Sequence, residues 1–251
     1  MKKIAAALAA VSILSLSGCS LFGSTNTYSA MGDYNFAEMD LIQLEEPADG
    51  QLMAVIDTSE GVIKAVLYPD YAPNTVDNFV NRANEGYYDG KSIYGIINES
   101  LFMTGAYNEE GTQGFTNDGN PIANEHSVDL WTLKGSLCAY NGKMGYGDSR
   151  FFIVDEFPIT DEELEEIRSK KNDDGTQIIP EELLQAYLDN KGILQIAGQY
   201  TVFGQTIEGI EVVEKICDSE YDPKTMRPVN EIVVNSIEIT EYASSEEEVV
   251  Q

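Results

Sequence analysis

The sequence predicts a mainly β domain, a closed antiparallel barrel capped by two helices and carrying a helical insertion. Short apolar runs of strand length recur from Leu52 to Ile239, separated by turn residues. Two segments with helical spacing stand near the start and the end of this series. An acidic, helix-prone stretch, Asp161–Asp189, interrupts the strands.

The first half of the domain predicts a hairpin followed by a helix. Leu52–Thr58 is apolar and β-prone, Ser59–Gly61 is a turn, and Val62–Tyr68 alternates between two faces. A helix is predicted to begin around Ala72 and Pro73, because proline suits the first helical turn. Its apolar residues recur at helical spacing, and Gly86 ends it.

The second half predicts short strands, a surface insertion and a second helix. Ile210–Ile216 has helical spacing, and the loop before the middle strands runs from Gly105 to Pro121. The insertion, at about residues 160–195, contains a helix opening at Pro180 and is not expected to be a second domain. The remaining strands are predicted at Ser92–Ile97, Leu101–Thr104, Leu130–Leu133, Ser136–Tyr140, Arg150–Val154, Tyr200–Gly204 and Ile232–Ile239.

The N-terminus predicts export and lipidation. Residues 1–18 contain two lysines, an apolar run too short for a stable membrane anchor, and small residues before Cys19. This order resembles the lipobox of bacterial lipoproteins, in which Cys19 receives a diacylglycerol, although an ordinary secretory signal is the alternative. Lipid on Cys19 would hold the protein on the extracytoplasmic face of a cell membrane.

These signals divide the chain into four parts. Residues 1–18 are the signal peptide, 19–50 a flexible tether, 51–243 the folded domain and 244–251 an acidic tail.

The net charge of the chain restricts the classes of binding partner. The formal net charge of −28 repels nucleic acid and anionic lipid. The negative charge favours solubility, or contact with basic or unfolded clients.

Cys138 and Cys217 could pair in an exported protein, but both lie in apolar runs and are predicted to be buried free thiols. With one histidine, His126, and no nucleophile motif beside it, the sequence predicts neither a hydrolase nor a metal site, and no cofactor.

The segment Asp148–Val154 predicts the functional strand. Alternation places Arg150 and Phe152 on one face, and Phe151 and Ile153 on the other, which would point into the core. A cation beside a large ring could form one wall of a binding groove. An ordinary core strand with Arg150 held by a local carboxylate is the alternative.

Together these segments resemble a cyclophilin-type peptidyl-prolyl isomerase, over about Leu52 to Tyr242. The matching stretches are Ala72–Phe79, Tyr88–Ile97, Phe102–Gly105, Gly135–Leu137, Ser149–Ile153 and Tyr200–Gly204. The resemblance implies an eight-stranded closed barrel, an insertion similar to that of lipid-anchored bacterial members, and isomerisation of X–Pro bonds without a cofactor. Such a catalyst must grip the proline ring and stabilise the twisted amide, whose uncatalysed barrier is about 18–20 kcal/mol.

The resemblance also implies site residues. Phe152 and Ile196 match the proline pocket, and Leu101 stands where the family has a second phenylalanine. Thr104 stands where the family has the glutamine that holds the substrate backbone. Tyr200 replaces a histidine, Tyr140 is a further expected substrate contact, and Gln195 is near the position of a tryptophan. Gly95 occupies the position of the catalytic arginine, so Arg150 is the candidate substitute cation.

Three functions therefore follow as alternatives. The first is a weakened isomerase that assists the folding of exported, proline-containing polypeptides. The second is a non-catalytic proline-peptide-binding module on the same barrel. The third is a surface lipoprotein whose insertion contacts another protein. A monomer is expected.

Overall fold

The computed structural model describes residues 34–142 and 145–244. Within these ranges eleven strands and four α-helices form. The strands are β1 (Leu52–Thr58), β2 (Gly61–Leu67), β3 (Lys91–Ser92), β4 (Gly95–Ile97), β5 (Leu101–Thr104), β6 (Ile122–Ala123), β7 (Ser136–Ala139), β8 (Tyr146–Gly147), β9 (Phe151–Val154), β10 (Val202–Glu208) and β11 (Val233–Glu241). The helices are α1 (Pro73–Asn84), α2 (Asp161–Ser169), α3 (Glu181–Asn190) and α4 (Ile210–Cys217), and none of these is long and apolar enough to cross a membrane.

In the described ranges nine strands form one antiparallel sheet in the order β3-β11-β1-β2-β10-β7-β9-β5-β4. The predicted closed eight-stranded barrel is therefore wrong: the sheet is strongly curled into a half-barrel, with no ladder between β3 and β4. The predicted strand Ser92–Ile97 explains the difference, because the chain leaves one edge of the sheet within it. The N–H of Ile93 donates to Ile232 beside β11 (2.8 Å), whereas the N–H of Tyr94 donates to Met103 on β5 (3.0 Å).

The concave face of the sheet holds the main core. Phe151 and Ile153 point into it, as predicted, together with the apolar faces of α1 and α4. The ring of Phe79 on α1 lies 5.4 Å from that of Phe151 and 5.2 Å from that of Phe203 on β10. Burial of these rings is a large source of stability, and it fixes the opposite residues of β9 on the outer face.

The insertion packs around the single tryptophan. Trp131 is 1% exposed and lies in a third apolar cluster with residues of α2 and α3. The predicted strand Leu130–Leu133 is therefore wrong: its apolar run is buried against helices, and only Leu133 makes an isolated β-bridge, to Gly192.

The predicted tether 19–50 needs a correction in its second part. Residues 34–44 form a strap that contains two short 3-10 turns and packs on the Trp131 cluster. Gln43 of this strap is buried, and its side chain bonds Trp131 (2.9 and 2.5 Å), Ser136 (2.9 Å) and Gln205 (2.8 Å). The signal peptide, Cys19 and the tail from residue 245 lie outside the described residues.

Candidate substrate-binding face

The candidate site lies on the outer face of β9, around Phe152. In the sheet, Phe152 stands opposite Met103 of β5 on one side and Cys138 of β7 on the other. All three side chains belong to an apolar cluster separate from the main core. Cys138 is a buried free thiol, as predicted, and so is Cys217 on α4.

This outer cluster brings together most of the predicted pocket residues. Leu101 and Ile196 are fully buried in it with Phe152, and Tyr140 and Tyr200 pack against it while partly exposed. The ring of Tyr200 meets that of Phe152 edge-on, with 5.0 Å between the centroids. Phe152 itself has no exposed surface, whereas Tyr140 and Tyr200 are partly exposed.

Thr104 does not face this cluster. Adjacent residues on a strand point to opposite sides, and Met103 points towards Phe152, so Thr104 points away. Its hydroxyl donates to the Ser92 carbonyl (3.1 Å). Leu101 and Thr104 are three residues apart on one strand, and this spacing alone indicates that they cannot share a face.

Met103 is a residue of this face that the sequence reasoning missed, and its side chain lies beside Gly95. A Cβ atom added to Gly95 would lie 2.6 Å from the Met103 methyl group. The methionine therefore fills the space beside Gly95, the position at which the sequence resemblance predicts the loss of a catalytic arginine. An apolar thioether stands in place of a cation.

Arg150 lies at the margin of the cluster and is firmly held. Its Nε and Nη2 atoms donate to the Asp148 carboxylate (3.0, 3.1 and 2.6 Å), and Nη1 donates to the Gly111 carbonyl (2.9 Å). The guanidinium also stacks over the Tyr140 ring, 4.6 Å from its centroid. Burial alone would lower the pKa of Arg150, but Asp148 raises it above the usual value, so the group stays charged.

A cavity of about 320 Å³ opens beside Arg150. It is lined by Arg150, Asp148 and Asn141 and by the exposed rings of Phe115 and Tyr146. The site therefore consists of a closed apolar patch at Phe152 and an open, partly polar groove next to it.

Comparison with known proteins identifies the family. The family model for "Cyclophilin type peptidyl-prolyl cis-trans isomerase/CLD" matches residues 53–239. A curated protein of Staphylococcus saprophyticus, named "Putative peptidyl-prolyl cis-trans isomerase", is 33% identical over 202 residues, covering 79% of this chain and 98% of that protein. A protein of Staphylococcus aureus with the same name is 30% identical over 197 residues, covering 78% and 96%.

Solved structures agree on the fold. A cyclophilin-type isomerase of Cryptosporidium parvum, crystallised in the presence of the dipeptide Ala-Pro, superposes with a TM-score of 0.57 at 20% identity, covering 76% of this chain and 99% of that one. A second crystal structure of the same protein gives a TM-score of 0.58 at 20% identity, covering 77% of this chain and 99% of that one. The chain belongs to the cyclophilin-type peptidyl-prolyl cis-trans isomerase family, as the sequence resemblance predicted.

Proposed function

We propose that the chain is a lipid-anchored, extracytoplasmic prolyl isomerase of reduced turnover, which assists the folding of exported proteins. The observation that carries this proposal is the common outer face of Phe152, Tyr200 and Arg150, with an open groove beside it. The structural neighbour crystallised with Ala-Pro supports a proline-containing peptide as the occupant. The partly exposed Tyr200 ring, edge-on to Phe152, is the proposed contact surface for the proline ring.

Catalysis of prolyl isomerisation requires a hydrogen-bond donor near the twisted amide of the substrate. A guanidinium has five N–H groups, and Asp148 and Gly111 occupy three of those of Arg150. The remaining two, on Nη1 and Nη2, can still donate to a bound peptide. Asp148 neutralises part of the charge that would stabilise the transition state.

Reduced turnover follows from the missing donor at position 95. Removing one preorganised donor from a catalytic site typically costs about 2.7–4 kcal/mol, or about 10²–10³ in rate. Arg150 would recover part of this loss from a different direction.

The test is NMR exchange spectroscopy on an Ala-Pro peptide with the full-length protein. Arg150→Lys keeps a charge but loses the planar guanidinium, and is expected to lower the exchange rate about tenfold. Arg168→Lys is the matched control, because Arg168 also pairs with one carboxylate, Glu181, but in the insertion. A wild-type protein that is active and an Arg150→Lys variant of equal activity would contradict the role of Arg150.

A second function, binding of proline segments without turnover, is favoured by the apolar Met103 side chain beside Gly95. The same NMR samples distinguish the two functions. Shifted peptide signals without cis–trans exchange above the uncatalysed rate would establish a binding module, whereas accelerated exchange supports the isomerase.

The membrane anchor is proposed from the sequence alone. The charged start, the apolar run and the small residues before Cys19 support lipidation at that thiol. Expression in a bacterial host followed by detergent phase partitioning tests it. Wild type should enter the detergent phase, and Cys19→Ala should not; equal partitioning of the two would refute the anchor.

A further inference from the structure

Helix α1 begins without a capping side chain of its own. The residue before it, Ala72, offers no side-chain acceptor. Instead, Glu125 from a distant loop binds the first turn: its carboxylate accepts from the N–H groups of Asn74 (3.0 Å) and Thr75 (2.9 Å). It also accepts from both side chains (2.6 and 2.7 Å). A carboxylate at this position satisfies free N–H groups and complements the helix dipole.

The loop that carries Glu125 is joined to the segment that carries Tyr200. The N–H of Glu125 donates to the Thr201 hydroxyl (2.8 Å), and the Asn124 amide donates to the Gln199 carbonyl (3.4 Å). The side chain of His126 hydrogen-bonds the backbone of Tyr200. Three successive residues, 124–126, therefore hold residues 199–201.

Residues 199–201 determine where the Tyr200 ring lies. Thr201 is buried, and its carbonyl accepts from the N–H of Ala139 at the end of β7 (2.9 Å). The adjacent Tyr200 ring stands edge-on to Phe152. A chain of contacts thus runs from the start of α1, through the Glu125 carboxylate and the loop 124–126, to the Tyr200 ring that packs against the apolar patch.

We infer that Glu125 is a positioning residue for the proline-binding face, because it fixes the loop that holds the Tyr200 ring in its edge-on contact with Phe152. The inference rests on the proposed function. The competing explanation is that Glu125 only stabilises α1, and the chain offers a way to separate the two. In a Glu125→Ala variant, the additional substitution Ala72→Ser would cap α1 locally, while the loop 124–126 would remain without its hydrogen bonds to the helix.

The experiment compares Glu125→Ala, Glu125→Ala with Ala72→Ser, and Thr160→Ala in the full-length protein. Thr160 is the matched control, because it caps α2 of the insertion with the same kind of hydrogen bond. Each variant is measured by urea unfolding, by NMR titration with an Ala-Pro peptide, and by the ring signals of Tyr200. Glu125→Ala should raise the peptide Kd about tenfold, equivalent to about 1.4 kcal/mol, and shift the Tyr200 signals.

The added Ala72→Ser should restore stability but not affinity, and Thr160→Ala should lose stability while keeping both affinity and Tyr200 signals. Unchanged affinity in Glu125→Ala, or affinity that returns with stability in the double variant, would overturn the inference and leave the proposed function standing. If Glu125→Ala does not fold, Glu125→Gln, which keeps one acceptor oxygen, carries the same comparison. A wild-type protein that neither binds nor isomerises the peptide would overturn the proposed function itself, and with it this inference.

Discussion

Position 95 is the residue at which the proposed reduction in turnover can be tested directly. The backbone of Gly95 is not in the left-handed region, so a side chain can be introduced there. The atom in its way is the flexible end of Met103. We expect Gly95→Arg with Met103→Ala to raise the exchange rate on an Ala-Pro peptide at least about tenfold, because a donor then faces the amide.

Met103→Ala alone is the control for this prediction. It removes a buried methionine and should lower the free energy of unfolding by about 2–5 kcal/mol without raising the rate. An equal rate in the single and double variants would show that the site gains nothing from a cation at position 95.

His126, the one histidine of the chain, should make stability depend on pH. Burial lowers its pKa below the ordinary value, although the bond to the Tyr200 backbone opposes this. Below about pH 6.5 the unfolded chain therefore binds a proton that the folded chain resists, and acid favours unfolding. Wild type should lose free energy of unfolding relative to His126→Gln between about pH 7.5 and about pH 5.5.

Urea unfolding of both proteins at the two pH values measures this difference. The variant shares every other titrating group, so carboxylates such as Asp155, whose pKa burial raises, cancel in the comparison. A difference that stays constant with pH would contradict the prediction.

At the residue scale, alternation along β9 was sufficient to place Phe151 in the core and Phe152 on the opposite face. Strand alternation could not show that the Asp148 carboxylate would bind the Arg150 guanidinium, because this contact depends on the backbone conformation of residues 148–150. The sequence resemblance predicted that Thr104 would face the Phe152 cluster together with Leu101. The two side chains point to opposite sides of β5, so only Leu101 does.

Among the elements, the strap is the one whose role in the fold was not expected. Its buried Gln43 links the Trp131 loop to β7 and β10. Gln43→Ala would leave several buried groups without partners, at a cost of about 1–3 kcal/mol. Urea unfolding followed by Trp131 fluorescence measures it.

The exposed Glu46, just beyond the strap, provides the control. Glu46→Ala should change the free energy of unfolding by less than about 0.5 kcal/mol. Equal effects of the two substitutions would show that the strap adds little to stability.

Elements with a clear period were predicted well, and the strap was not. The hairpin of β1 and β2, the helices α1 and α4 and the helical insertion all follow from apolar spacing or turn residues. The strap has no period, and its burial depends on a polar side chain whose partners are at least 88 residues away. Leu130–Leu133 had the composition of a strand, but within residues 34–142 and 145–244 no strand pairs with it along its length.

For the whole molecule, the hydrogen bonds of Gln43 predict that the insertion cluster and the curled sheet unfold together. Trp131 reports on the cluster and far-ultraviolet circular dichroism on the sheet and helices. The two urea transitions should have the same midpoint, because a separate loss of the cluster would expose the partners of Gln43. A fluorescence transition at lower urea would show an independently unfolding unit.

Closure of the sheet was the global feature that strand patterns could not supply. Strand patterns predict the length of each strand and the face on which each side chain lies. Closure depends instead on the hydrogen-bond partners of the Ile93 and Tyr94 N–H groups, which lie at opposite edges of the sheet.

The edge strand β4 also affects how neighbouring molecules behave. The strand β4, at the edge of the sheet beside β5, has only three residues. On its outer side the N–H of Ile96 already donates to the Met226 carbonyl (2.7 Å). A foreign strand thus finds few free backbone groups with which to extend the ladder. Molecules crowded side by side should therefore resist templated β-aggregation, despite a fold made largely of strands.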